Sequence, residues 1–392
     1  MVKSIRYYIF LRDVLALTLI CFGGPQAHFA LFFDKLVKKR AYLTEEELIE
    51  LNALCSILPG PTSTQTITAV GFKIGGPPLA YLTLLVWILP AVSIMTFAAV
   101  GISNLQEKSI SLAFTRFIQP MAVGFIAYAA YSISMKVVRT KMALVIVIIS
   151  SILSFTFNSP YLYPILLLAA GLITASKYNQ QPIVEEKEKI KITWFNFFMW
   201  AGVFIGIAIL GGITRSLPVR LFENFYRNGS LIFGGGQVLI PLMYTEFVNF
   251  KHYLSSEEFL SGFALVQAIP GPVFSFSAYI GALSMREYGI WGEITGAFLA
   301  SMGIFLPGTF LIFFVSRFWN DLKKFRIVRA SLEGISAASS GMVIAAALLL
   351  YMPLEQNPMN VGFTVGTFLL LTATKIPPPF IIVGGLAAGL VF

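Results

Sequence analysis

Apolar runs of roughly 20 residues, the length a helix needs to cross the hydrocarbon core of a bilayer, recur along most of this chain: at 14–33, 78–100, 113–135, 194–213, 291–314 and 330–351. Two shorter runs, 142–157 and 160–175, are separated by Asn158-Ser159-Pro160. The runs are continuous rather than alternating, so they read as helices and not as strands of a barrel. Only 12% of the 392 residues are charged, about half the share of a soluble domain. The chain is therefore expected to be an all-α polytopic membrane protein. Lys3, Arg6 and Arg12 precede the first run, but no small-residue cleavage site follows, which predicts an uncleaved first helix. With two cysteines in apolar segments, Cys21 and Cys55, and two histidines, His28 and His252, neither a disulfide framework nor a haem or zinc site is indicated, and no cofactor is expected. The net charge of +9 suits cytoplasmic loops rather than nucleic acid.

Within this pattern one stretch stands out. Pro59-Gly60-Pro61 is followed at once by Thr62-Ser63-Thr64-Gln65, a polar helix break inside an apolar segment, and the tripeptide returns at Pro270-Gly271-Pro272. A shift of 211 residues places Phe22-Gly23-Gly24-Pro25-Gln26 on Phe233-Gly234-Gly235-Gly236-Gln237, Arg40 on Lys251 and Glu46-Glu47 on Glu257-Glu258, with fifteen identities between positions 22 and 64. Many fall on Gly, Pro, Gln and Glu, where hydropathy alone does not force agreement. The chain thus divides into an N-terminal repeat, 1–175, a hydrophilic linker with a connecting helix, 176–228, and a C-terminal repeat, 229–392. Thr44 and Glu47 form the sequence signature of an N-capped helix start.

Loop charge orients the halves. The loop 101–112 carries one lysine and the next carries Lys136, Arg139 and Lys141; in the second half 315–329 is the basic loop and 352–359 carries only Glu355. Basic loops stay in the cytoplasm, so equivalent loops face opposite sides. This predicts two inverted-topology repeats with about 13 (12–14) transmembrane or re-entrant helices, the N-terminus cytoplasmic and the C-terminus outside. Lys35 to Arg40 fits only if 14–33 is re-entrant or these cations line a vestibule. Inverted repeats with interrupted helices are the architecture of secondary transporters, whose substrate sits between the repeats.

Broken backbone at membrane depth is tolerated where it faces protein or a watery cavity. Pro61 suits the first turn of a new half-helix, leaving the amides of Thr62, Ser63 and Thr64 aimed past the break, where a helix N-terminus favours an anion. The hydroxyls and the Gln65 amide add donors; the second copy offers Ser275 and Ser277. The structural alternative is a plain kink, and two copies favour the site. Gly23-Gly24-Pro25-Gln26 and Gly234–Gln237, including Gly235 and Gln237, are similar breaks whose alternative is close helix packing. Arg40 and Lys73 are cations available to an anion path, or residues that snorkel to an interface. Arg116 and Arg329 read more readily as interface anchors. His28 has Leu239 as its counterpart and reads as a packed or interfacial histidine.

The combination of FGGPQAHF, a basic residue before Leu-Thr-Glu-Glu, LPGPTSTQ, GGGQ and the second Pro-Gly-Pro closely resembles the chromate ion transporter family, in its long form of two homologous halves, over essentially the whole chain. The resemblance implies export of chromate from the cytoplasm across the cell's inner membrane, chromate resistance, and sulfate as isosteric competitor. It maps motif positions onto Gly23, Gly24, Pro25, Gln26, Arg40, Pro59, Gly60, Pro61, Gln65, Gly71 and Lys73, and onto Gly234–Gln237 and Pro270–Pro272. Gly236 replaces Pro25 and Leu283 stands for Lys73, which makes the first half the main ligand source. The expected partners are a small oxyanion and membrane lipid, with a homodimer compatible; no nucleic acid is expected. No GxxxxGK[ST] loop supports ATP-driven pumping. The alternatives are an oxyanion channel, a transporter of another small anion such as sulfate, and a membrane-embedded enzyme, for which the spans lack a His, Cys or paired-carboxylate cluster.

Overall fold

The computed structural model describes residues 2–22, 24–107, 116–157, 159–177, 194–233, 236–316 and 325–391. Among them every regular element is helical. The first half runs α1 (Val2–Thr18), α2 (Pro25–Phe32) continuing into a π-helical turn (Phe33–Lys39), α3 (Glu45–Ile57), α4 (Thr62–Glu107), α5 (Ile118–Val137), α6 (Lys141–Thr156) and α7 (Leu162–Ala175). After α8 (Phe195–Thr214) come α9 (Leu217–Leu231), α10 (Gly236–Tyr244) with a π-helical turn (Thr245–Phe250), α11 (Ser256–Ala268), α12 (Phe276–Ser284), α13 (Gly289–Val315), α14 (Arg326–Tyr351), α15 (Pro358–Ala373) and α16 (Pro378–Val391). Among the described residues five helical stretches are long and apolar enough to cross a membrane: Thr62–Leu105, Ile118–Val137, Phe195–Thr214, Arg286–Val315 and Arg326–Tyr351. Shorter apolar helices, α6, α7, α15 and α16 among them, accompany these. The chain is thus a polytopic helical protein of membrane type.

The expected first span, 14–33, is not one rod. It ends at Thr18 and restarts at Pro25, with Gly24 at φ +81° as N-cap. Likewise α4 is two helices, broken at Gly76 (φ +71°, ψ −166°) immediately before Pro77 and Pro78, and folded back on each other so that a Cβ on Gly71 would fall 2.3 Å from Thr83 Oγ1. Proline suits a first helical turn, where its missing amide leaves no bond unmade. Three such left-handed positions have a sequence-shifted counterpart of nearly the same φ among the described residues. Gly60 and Gly271 have φ +116° and +115°; Ala41 and His252 have +49° and +54°; Gly76 and Gly289 have +71° and +68°. Both acidic helix starts are complete capping boxes: Thr44 with Glu47, and Ser255 with Glu258. The Pro-Gly-Pro turns are joined to the opposite half by exchanged backbone hydrogen bonds. Gly60 N donates to Ile232 O (2.7 Å), and Gly271 N donates to Cys21 O (2.8 Å). Cys21 and Ile232 stand in the same 211-residue relation as the two glycines.

Packing centres on α14 and α13. The first lies against α5, α6 and α7, the second against α4, α9 and α12. Close approaches need the small residues found there: a Cβ on Gly334 would fall 2.1 Å from Ala170 O, and one on Gly281 2.3 Å from Gly296 O. α8 packs on α9 and α13 and buries only Gly211, leaving Phe195, Phe198, Ile205 and Ile213 on an outer apolar face that suits lipid. On the other side of the bundle α11 packs against α5, whereas α3 makes no comparable contact with α14.

Candidate functional site: a hydroxyl-lined cavity at the Pro-Gly-Pro breaks

The space between α3 and α14 is a cavity of about 620 Å³. The first break supplies Pro61, Thr62 and Ser63, the α2 start supplies Gly24, Pro25 and His28, and α3 supplies Asn52 and Ser56. The second half closes it with Gly236, Pro272, Val273 and Phe274, while Tyr128, Ser132, Ser336 and Ser339 add hydroxyls from α5 and α14. Among the described residues no carboxylate lines it, and its one charged wall residue is the exposed Lys136 at the end of α5. Hydroxyl and amide donors with an ammonium at the rim can donate charge-assisted hydrogen bonds to the oxygens of a small anion.

The first break is held open from behind. Gln65 N donates to Pro61 O (2.8 Å), so the amides of Thr62, Ser63 and Thr64 precede the first helical bond and have no helical carbonyl to meet. Ser63 Oγ lies 3.1 Å from His28 Nδ1. Trp87 Nε1 donates to Thr64 Oγ1 (3.1 Å), and Thr18 Oγ1 donates to Trp87 O (2.6 Å). Trp87 also stands edge-on to His28 at 5.6 Å and to Phe32 at 5.3 Å. A buried tryptophan therefore fixes both the break and the His28–Ser63 pair that faces the cavity.

The expected site residues separate into groups. Gly24, Pro61, Thr62, Ser63 and Pro272 line the cavity. Pro59, Gly60, Pro270 and Gly271 form the breaks just behind it. Gln65 is buried against the break: its Nε2 donates to Pro59 O (2.6 Å) and occupies the place a side chain on Gly60 or Gly308 would need. Ser275 is fully buried outside the lining. Gly23, Gly235 and the side chains of Gln26 and Gln237 lie outside the described residues.

The two cations expected to serve an anion path are paired elsewhere. Arg40 donates to both oxygens of Asp13, Nε–Oδ2 at 2.7 Å and Nη2–Oδ1 at 3.0 Å, with Lys35 and Tyr42 on the same carboxylate. The second half has a carboxylate cluster at the same place with the roles exchanged: Glu246, which aligns with Lys35, is gripped by Arg227, Asn228 Nδ2 (2.8 Å) and Lys251, which aligns with Arg40. Lys73 Nζ sits 2.6 Å from Glu47, and that ammonium holds the Glu47 carboxyl below the usual carboxylate range. Here the structure corrects one expectation. Leu283 does not stand in the place of Lys73: two residues are gained between Gly271 and Gly289, and Arg286 pairs with Glu258 as Lys73 pairs with Glu47. The second half does not lack this cation. Both partners of Lys73–Glu47 are more than a third exposed, so Lys73→Gln is expected to change stability by less than about 1 kcal/mol, measured by thermal unfolding in detergent.

His28, Asn52, Ser56 and Lys136 are among the lining residues the sequence reading missed. Asn52 and Ser56 form an i, i+4 polar pair on one face of α3, a legible signal. His28 follows Pro25 by one turn, and its counterpart Leu239 drew attention away from it. The counterparts of Asn52, Thr62 and Ser63 are Phe263, Val273 and Phe274, so at these positions the polar groups come from the first half alone.

The sequence profile of the chromate transporter family matches residues 9–175 and 219–390. The chain is 25% identical to a probable chromate transport protein of Synechococcus elongatus, over 95% of this chain and 92% of the relative. It is 24% identical to a chromate transport protein of Cupriavidus metallidurans, over 94% and 89%. An uncharacterized transporter of Methanocaldococcus jannaschii is 23% identical over 91% and 87%. No solved structure matches.

Proposed function

Since the chain belongs to the chromate transporter family, we propose that it is a secondary transporter that exports chromate, and tetrahedral oxyanions such as sulfate, from the cytoplasm across the inner membrane. The observation that carries this reading is the cavity at the first break: the half-helix start at Thr62 and Ser63, further hydroxyls and one lysine line it, with no carboxylate among the described lining residues. Two inverted repeats support alternating access. The exchanged bonds of Gly60 and Gly271 are what a two-fold relation between the halves produces, and the loop charges put that axis in the membrane plane. With Lys136, Arg139 and Lys141 on the cytoplasmic side, the cavity opens inward and the N-terminus is cytoplasmic, the C-terminus outside. In the outward state α3 would close on α14 while α11 parts from α5.

A dianion leaving an inside-negative cell gains about 4.6 kcal/mol per 100 mV, twice the value for one charge. The potential alone can therefore drive export. The test is chromate uptake into inverted membrane vesicles: saturable uptake competed by sulfate is expected, and channel-scale conductance in a planar bilayer would sink the transporter reading.

A further inference from the structure

Beyond the packing of α11 on α5 lies a second polar cavity, of about 380 Å³. Arg116, Gln119, Glu257, Glu355, Asn357 and Asn360 are in its wall. Arg116 and Lys136 stand at opposite ends of α5, about 30 Å apart at 1.5 Å per residue, which is the thickness of a hydrocarbon core. α14 runs alongside in the opposite direction. Its Ser340 bonds Ser134 at 2.9 Å near the Lys136 end, and its last turn leads into Pro353 and Leu354 in the wall of the second cavity. The two cavities therefore lie on one α5–α14 seam, one at each end. Between them Met121 to Ile126 of α5 are buried, as are Phe263 and Ala264 of α11.

The two ends differ in charge. The inner end has Lys136, followed by Arg139 and Lys141. The outer cavity sets one guanidinium against two carboxylates. Arg116 lies over the Phe117 ring, 4.4 Å from its centroid, and makes no ion pair among the described residues. It is a cation in the wall of an open polar space, with no carboxylate within ion-pair distance among the described residues.

We propose that this second cavity is the outer vestibule of the oxyanion pathway, in which Arg116 receives the ion as α11 parts from α5, and Glu257 and Glu355 keep its hold weak so that the ion departs. The inference rests on the transport reading above. An attractive inner mouth and a weakly binding outer one raise occupancy where the ion is loaded and lower it where it is released, without changing the driving force.

The experiment has two arms in the full-length protein. Cysteine is placed at Asn360 or Ser336, the native Cys21 and Cys55 being buried, and labelled with a membrane-impermeant maleimide. Asn360→Cys is expected to react in intact cells and Ser336→Cys in inverted vesicles; the opposite pattern, or no reaction at Asn360→Cys, overturns the vestibule. In right-side-out vesicles run in the uptake direction, Arg116→Gln is expected to raise the half-saturating external sulfate about fivefold, and Glu355→Gln to lower it, while the cytoplasmic half-saturation stays put. Flux with unchanged external affinity in both variants overturns this proposal alone. A wild type that moves no oxyanion overturns the transport reading and this inference with it.

Discussion

Gly271→Ala is expected to abolish oxyanion flux and to destabilise the protein by about 2–6 kcal/mol. Two independent effects add. The backbone sits at φ +115°, a region costly for any residue with a Cβ, about 1–3 kcal/mol. The new methyl would also stand 2.9 Å from the Ala91 Cβ, an overpacking worth about another 1–3 kcal/mol. Because Gly271 N bonds Cys21 O, any shift that relieves the strain moves the residue three positions before Gly24 and with it the wall of the cavity. Gly60→Ala is expected to act alike: φ is +116° and its methyl would lie 2.7 Å from Gln65 Nε2, a side chain end that also braces Pro59. Gly202→Ala in α8 is the control. Its methyl would meet nothing within 4 Å, so flux is expected to be unchanged and stability to hold or rise slightly. Flux in vesicles and thermal unfolding in detergent read both quantities.

Glu246→Ala is expected to lower stability by about 3–5 kcal/mol, because it leaves the guanidinium of Arg227, the ammonium of Lys251 and the amide of Asn228 without their common acceptor. The Glu246 side chain is fully buried, so water cannot replace the lost partner. Glu246→Gln keeps an acceptor oxygen and should lose less. Asp13→Ala at the equivalent cluster is expected to lose less than Glu246→Ala, since its partners Lys35 and Arg40 are about a third exposed and can turn to water. Thermal unfolding of the three variants orders them; an Asp13→Ala loss larger than that of Glu246→Ala contradicts the burial argument.

The sequence made the breaks legible because each is local chemistry. Pro-Gly-Pro cannot continue a helix, Thr44 with Glu47 announces a helix start, and a 211-residue shift brings both features back. The cations were harder. A lysine near a polar break looks like a ligand until Glu47, on another helix, is seen beside Lys73; Arg40 likewise meets Asp13 only once α1 packs beside the π-helical turn. The rest of the cavity wall was not legible for the same reason. Ser132, Ser336 and Ser339 are ordinary small residues in apolar helices, and only the meeting of α5 with α14 gives them a common purpose. Lys136 was visible as a cytoplasmic loop charge but not as the rim of the site. The missing Lys73 counterpart was an artefact of a shift held constant across a two-residue gain.

The measurement that tests the central claim most directly is the half-saturating chromate concentration in inverted vesicles for wild type, Ser63→Ala, Lys136→Gln and Lys73→Gln. If the oxyanion is held at the first break, Ser63→Ala and Lys136→Gln should each raise it about tenfold, one charge-assisted hydrogen bond apiece. Lys73→Gln, whose partner is Glu47, should leave it unchanged. Normal saturation in the first two variants, or a loss confined to Lys73→Gln, would contradict the account.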